Sequence, residues 1–167
     1  MKRIMVFMLV GVLGACLIMT ASAMGTTSDK NSVGKVIPNA PGFTLKDVNG
    51  KEVSMHDFKG KNVLIVFGTT WCPYCVTEVN DLKAFFNKHK DKDVKLLSID
   101  IQESQEKVSA FVKKYGINYT VLLDETGDVA RSYNVYGIPA TYFVDETGII
   151  KYSGSGKPKE GFEALLK

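Results

Sequence analysis

Histidine and cysteine are scarce in this chain, which holds two His and three Cys in 167 residues. A structural zinc site takes about four ligands. Once Cys16 is assigned to the N-terminal segment, only Cys72, Cys75, His56 and His89 remain, so no metal site is expected. An excess of one charge is also lacking. Without Lys2 and Arg3, 19 Lys and Arg stand against 18 Asp and Glu. No basic stripe stands out, so neither nucleic acid nor an anionic membrane surface is expected as a partner. Lys88, Lys90 and Lys92 are interleaved with Asp91 and Asp93, as in a solvated loop. Internal repeats are absent. Hydrophobic residues make up 45% and charged residues 23%, a composition that excludes disorder beyond the ends and fits one globular domain.

The first segment reads as an export signal. Lys2 and Arg3 precede an apolar run from Ile4 to Met19, and Ala21-Ser22-Ala23 supplies the small-x-small cleavage pattern. Residues 1–23 are therefore expected to be a signal peptide. Two other readings stand beside it. The run is near the lower limit of roughly 17 residues for a membrane span, so an uncleaved segment would anchor the domain. Leu13-Gly14-Ala15-Cys16 also resembles a lipobox, although apolar Leu17-Ile18-Met19 follows the cysteine. The plain reading of Cys16 is a small apolar residue in a signal core. All three place the domain outside the cytoplasm. Residues 24–36 are small and unpatterned and read as a linker to a domain over 37–167.

Along that domain, Phe43-Thr44-Leu45 and Glu52-Val53-Ser54-Met55 read as short strands. Asn49-Gly50 between them is a hairpin signal, since both residues tolerate positive φ. Val63-Leu64-Ile65-Val66-Phe67 is the unbroken apolar run of a strand buried on both faces. A helix is predicted over 73–89, with Cys75, Val79, Leu82 and Phe86 on its core face. Strands follow at 94–99 and 119–123, separated by a helix capped by Ser104 and ended by Gly116. A short helix at 128–135, a hairpin of Thr141–Val144 with Ile149–Tyr152, and a terminal helical turn at Phe162, Leu165 and Leu166 complete the order. The fold class is α/β, a central mixed sheet with helices on both faces.

Trp71-Cys72-Pro73-Tyr74-Cys75 lies at the junction of the buried strand and the first helix. Unpaired N–H groups and the positive end of the helix dipole favour an anion there, so the Cys72 thiolate should be stabilised. Pro73 suits the first helical position. Cys75, one turn on, is placed to attack a mixed disulfide on Cys72, and the expected roles are Cys72 as exposed nucleophile and Cys75 as buried resolving thiol. An inert disulfide is the alternative, but so small a loop would stabilise little. Covalent haem needs a His after the second cysteine, where Val76 stands. Two further residues are open between plain and functional readings. Pro139, in Gly137-Ile138-Pro139-Ala140-Thr141, is an edge-strand or loop proline, or a cis one. Glu78 is an exposed early-helix acid, or a half-buried carboxyl able to take the Cys75 proton.

Phe67 to Cys75 together with Gly137 to Thr141 resembles the thioredoxin superfamily, and the hairpin of Phe43 to Met55 narrows the likeness to the exported TlpA/ResA-like (redoxin) branch. The resemblance implies a thioredoxin fold with an N-terminal β-hairpin and an extra helix–strand insert, Ser104 to Leu123, before a cis-proline at Pro139. It implies that Ile138 offers backbone hydrogen bonds to a bound chain and that Glu78 sits under the cysteine pair. Val66 stands where plain thioredoxin has a buried Asp, and Pro73-Tyr74 is the dipeptide typical of glutaredoxins.

Trp71, Tyr74, Ile138 and Pro139 would form an apolar rim around Cys72, although a lone Trp is as often a core residue. Such a rim suits extended protein segments bearing disulfides. The implied activity is reduction of disulfides in exported proteins, apocytochrome c maturation being a common task of this branch. No nicotinamide or flavin site is seen and no cofactor is expected, so a membrane dithiol donor would have to recharge the pair. A disulfide-donating oxidant is the alternative direction. A Cu(I) chaperone using both thiolates lacks a nearby His or Met, and a peroxidase lacks the Pro-x-x-x-Thr-x-x-Cys loop.

Overall fold

A computed structural model describes residues 39–92 and 94–166. The signal, anchor and lipobox readings, Cys16 included, and the linker reading fall outside the described residues. The elements are β1 (Thr44–Asp47), β2 (Glu52–Ser54), β3 (Asn62–Gly68), α1 (Pro73–His89), β4 (Val94–Ile101), α2 (Gln105–Tyr115), β5 (Thr120–Asp124), α3 (Asp128–Ser132), β6 (Ala140–Val144) and β7 (Ile150–Ser155). Single 3-10 turns cover Met55–Phe58 and Phe162–Leu166.

The strands form one mixed sheet in the order β2-β1-β5-β4-β3-β6-β7. β3, β4 and β5 run parallel, and every other pairing is antiparallel. β3 is central for a reason visible in its residues: Val63 to Phe67 are all buried, and alternate side chains serve opposite faces. Leu64 and Val66 pack with Leu82 and Phe85 of α1 and Val108 of α2. Val63, Ile65 and Phe67 pack with Phe43, Tyr133 and Tyr142 on the other face. Each such side chain contributes about 1.5–3 kcal/mol when fully buried, so this strand anchors both layers. The insert expected before Pro139 is α2 with β5, and β5 separates the N-terminal hairpin from β4.

The hairpin expected at Asn49-Gly50 is present, and the structure refines three local details. Only Gly50 of the Asn49-Gly50 pair takes a positive φ, +82°. Asp47 supplies the rest of the turn, its Oδ1 accepting from the amides of Asn49 at 2.8 Å and Lys51 at 2.9 Å. In α1 the deeply buried positions are Val79, Leu82, Phe85 and His89; Phe86 is half-buried, its ring 6.4 Å from that of Tyr119. α3 stops at Ser132 because Asn134 turns left-handed at φ +56°. The Val135 amide then closes back on the Ala130 carbonyl at 2.9 Å, a helix-ending bond.

Candidate active site

β3 delivers the chain to the mouth of the sheet, and α1 starts there. Cys72 is the N-cap of α1, with Pro73 at the first helical position. Cys72 and Cys75 are joined in a disulfide with Cα atoms 5.3 Å apart. Cys72 Sγ also accepts the Cys75 backbone N–H at 3.2 Å. That amide is one of the free donors of the helix end, and it would favour a thiolate on Cys72 once the disulfide opens.

The burial of the two cysteine residues is the reverse of the sequence expectation. Cys72 is only 4% exposed, whereas Cys75 is half-buried. Cys72 turns its sulfur onto the helix amide. Cys75 faces Gly68, where a Cβ would lie 3.2 Å from its Sγ, so a glycine lets β3 pass this close to the sulfur.

Pro139 follows from the register. Phe67 on β3 pairs with Ala140 on β6, so the residue before β6 sits beside the exit of β3, where the cysteine loop begins. The Ile138–Pro139 peptide is cis. Pro139 is buried and Ile138 half-buried. The Pro139 carbonyl is occupied by the Gly156 amide at 2.9 Å.

Glu78 is the second expected site residue that the fold brings in. One oxygen, Oε1, accepts the Lys157 backbone N–H at 2.6 Å. The other, Oε2, is buried without a partner. Burial pushes the carboxyl above its ordinary range, and the nearby Lys157 amide and ammonium only partly offset this. Gly156 makes the arrangement feasible. It has φ +63°, and a Cβ there would stand 2.6 Å from Glu78 Oε1 and 3.4 Å from Pro139 Cγ. The Gly156–Lys157 turn therefore ties the carboxyl to the cis-proline.

A second acid, unseen in the sequence reading, stands on the neighbouring strand. Asp100, near the end of β4, is 7% exposed and pairs in register with Gly68. Burial, and then the neighbouring Glu103 carboxylate, push Asp100 up to about 8. Gln102 turns left-handed at φ +57° and folds Glu103 back toward the cysteine loop. There Glu103 accepts the Thr70 amide at 2.5 Å and the Thr70 hydroxyl at 2.8 Å, and it pairs with Lys107. Burial would raise Glu103, but Lys107 and Thr70 outweigh it and hold Glu103 below the ordinary range. Cys75, Glu78, Gly68, Asp100 and Tyr119 line one small cavity of about 40 Å³.

The outer surface is aromatic. Trp71 is 66% and Tyr74 75% exposed, so Trp71 is a rim residue. Pro73 is exposed beside them. Tyr136, absent from the sequence reading, is 94% exposed two residues before Ile138. The histidines do not join this cluster. His89 lies fourteen residues beyond Cys75 on α1, about 21 Å along the axis, with Nε2 bonded to Glu163 at 2.9 Å. His56 lies in the 3-10 turn after β2.

Among the described residues no helix is long and apolar enough to cross a membrane.

Comparison with known proteins gives the same picture. The chain is 34% identical over 110 residues to the thiol-disulfide oxidoreductase ResA of Bacillus thuringiensis, covering 66% of this chain and 62% of that protein. It is 36% identical over 97 residues to ResA of Bacillus subtilis, covering 58% and 54% respectively. The chain thus spans about three-fifths of the length of these relatives. The thioredoxin domain of a thiol-disulfide oxidoreductase from Bacteroides vulgatus superposes with TM-score 0.72 at 26% identity, over 80% of this chain and 96% of its own. StoA from Bacillus subtilis superposes with TM-score 0.67 at 24% identity, over 77% and 98%. The fold is the thioredoxin fold. With residues 36–153 matching the model of the AhpC/TSA family, this chain belongs to that family.

Proposed function

We propose that the protein is a thiol–disulfide oxidoreductase that reduces disulfides of exported proteins through Cys72 and Cys75. The observation that carries this reading is the Cys72–Cys75 disulfide closed across the first turn of α1, with Cys72 Sγ on the Cys75 amide. A pair built only to staple the chain has no need of a helix N-terminus. The names of the relatives support the same activity, and the export-signal pattern read in residues 1–23 supports a site of action outside the cytoplasm.

In the reduced protein the Cys72 thiolate attacks one sulfur of a substrate disulfide. The S–S bond breaks, and the other substrate sulfur leaves as a thiolate and takes a proton. Cys75 then loses its proton to a carboxylate and attacks Cys72 Sγ, releasing the second substrate thiolate. Two electrons pass to the substrate, and the Cys72–Cys75 disulfide is left. Glu78, with an unpartnered oxygen on the cavity that Cys75 lines, is the nearby proton acceptor. Trp71, Tyr74 and Ile138 offer the apolar surface for a substrate segment. A membrane dithiol donor restores the dithiol. The bond from the Cys75 amide also favours the reverse use, as a disulfide donor, because whatever stabilises the Cys72 thiolate makes the pair more oxidising.

Trapping tests the division of labour. Reduced Cys75→Ser protein mixed with a disulfide-bonded protein should accumulate a mixed disulfide on Cys72, and Cys72→Ser protein should accumulate none. Mass spectrometry showing the adduct on Cys75 instead would exchange the two roles, and no adduct on either would reject the activity.

A further inference from the structure

We propose that Asp100 is the acid that protonates Cys75 when the Cys72–Cys75 disulfide is opened, passing its proton through the cavity between them. The inference deepens the reading above and rests on it.

The geometry begins with Gly68. Strands β3 and β4 run parallel with Gly68 paired to Asp100 and Val66 paired to Ser98, and paired positions on neighbouring strands present their side chains to the same face. On that face a Cβ at Gly68 would touch Cys75 Sγ. The absent side chain leaves the space through which Asp100 and Cys75 border the same cavity, about 40 Å³. One water needs roughly 10–15 Å³ of such space and two or more polar partners. Two unpartnered buried carboxyl oxygens, Asp100 Oδ1 and Glu78 Oε2, meet that need.

The proton is placed by the neighbours. Glu103 neighbours Asp100, and its carboxylate raises the Asp100 carboxyl; two carboxyl groups this close favour holding one proton between them. Glu103 is the anion of the pair, because Lys107 and the Thr70 amide and hydroxyl all address it. Asp100 therefore keeps the proton, and burial with the Glu103 charge hold it there up to about pH 8. The charged or titratable groups facing Asp100 are Glu103, Lys107 of α2, Cys75 and Glu78 of α1, and Tyr119 just before β5.

Recharging then proceeds with all atoms assigned. A dithiol donor's thiolate attacks Cys72 Sγ, the Cys72–Cys75 bond breaks, and Cys75 leaves as a thiolate. A cavity water gives Cys75 a proton and receives one from Asp100. The second donor thiolate displaces Cys72, the donor is oxidised to its disulfide, and Asp100 regains a proton from solvent. Glu78 and Asp100 thus divide the work: Glu78 is the acceptor in substrate reduction and Asp100 the acid in recharging.

The test is the rate at which dithiothreitol reduces the disulfide of the whole protein, followed by Trp71 fluorescence, from pH 6 to 9.5 and divided by the dithiothreitol thiolate concentration. In the wild type this rate should fall above about pH 8, where Asp100 loses its proton. Asp100→Asn should give a flat profile and a rate at pH 7 lower by about tenfold or more, general acid catalysis contributing typically 10²–10⁴-fold. Glu78→Gln should retain the fall. A profile for Asp100→Asn that keeps the fall would overturn the proposal, since a merely structural role does not remove an ionisation. Should that variant not fold, aspartate labelled with 13C at the side-chain carboxyl decides in the wild type. The Asp100 midpoint must shift when the pair is reduced, and an unmoved midpoint also overturns the proposal. Failure of the wild type to exchange with dithiothreitol at any pH would reject the oxidoreductase reading itself, an outcome distinct from a pH-independent wild-type rate.

Discussion

Replacing Asp100 with Asn should stabilise the oxidised protein increasingly as pH rises. Below pH 3.8 the carboxyl is protonated in both the folded and the unfolded chain, and its ionisation costs nothing. Between 3.8 and about 8 the unfolded chain releases this proton while the folded chain retains it. The folded state then binds more protons, so each pH unit in that window removes about 1.36 kcal/mol of stability per proton. At pH 7 the loss from Asp100 is about 4 kcal/mol, and at pH 5 about 2 kcal/mol. Against a typical total of about 5–15 kcal/mol this is a large cost for one side chain, and it fits a group retained for its proton. Asn keeps the shape, and its amide N–H is a donor available to the neighbouring Glu103 carboxylate. Glu78 is shifted in the same direction, but it is common to both proteins. Glu103 is held below its ordinary 4.5, so its contribution is lost only as the pH falls below that value. Urea unfolding of wild type and Asp100→Asn at pH 5, 6, 7 and 8 measures the difference directly. Two stability curves that run parallel across this range would refute the reasoning.

Gly156→Ala puts a methyl group where Glu78 Oε1 stands 2.6 Å away, at a backbone φ of +63°. It should cost about 1–2 kcal/mol for the left-handed conformation and displace the Glu78 carboxyl. Thermal unfolding and insulin-reduction assays should show both losses, whereas Gly156→Asn, a residue that tolerates this φ, should recover part of the stability but not the activity. Tyr136→Ala should leave stability within about 0.5 kcal/mol, as expected for an exposed site, because the ring is 94% exposed. It should raise KM for a protein disulfide while leaving the rate with dithiothreitol unchanged; equal effects on both substrates would remove Tyr136 from the docking surface.

Much of the frame was legible in the residues because its signals are local. An unbroken Val-Leu-Ile-Val-Phe run has only one comfortable place in an α/β domain, and Cys-Pro-Tyr-Cys after it marks a helix start without reference to the rest of the chain. The cis peptide at Pro139 and the insert of α2 and β5 came from family likeness, and the structure agrees with both. What escaped reading depends on register. Asp100 is one polar residue near the end of an apolar strand, and nothing local says that it pairs with Gly68 or that Gly68 opens a way to Cys75. The residue exposures of Cys72 and Cys75 also depend on which elements pack around them, and no local pattern reports that. Tyr133, fully buried, follows a short helix. Only the tertiary fold shows its hydroxyl bonding the Pro41 carbonyl at 2.9 Å.

The reduction potential of the Cys72–Cys75 pair, measured by equilibrating the purified protein in defined thiol–disulfide buffers, tests the proposed reductant most directly. A reversible two-electron couple near that of thioredoxin, about −270 mV, is the expected result and fits a reductant recharged by a dithiol donor. A value near that of a strong disulfide oxidant, about −120 mV, would contradict the proposed direction and make the protein a disulfide donor.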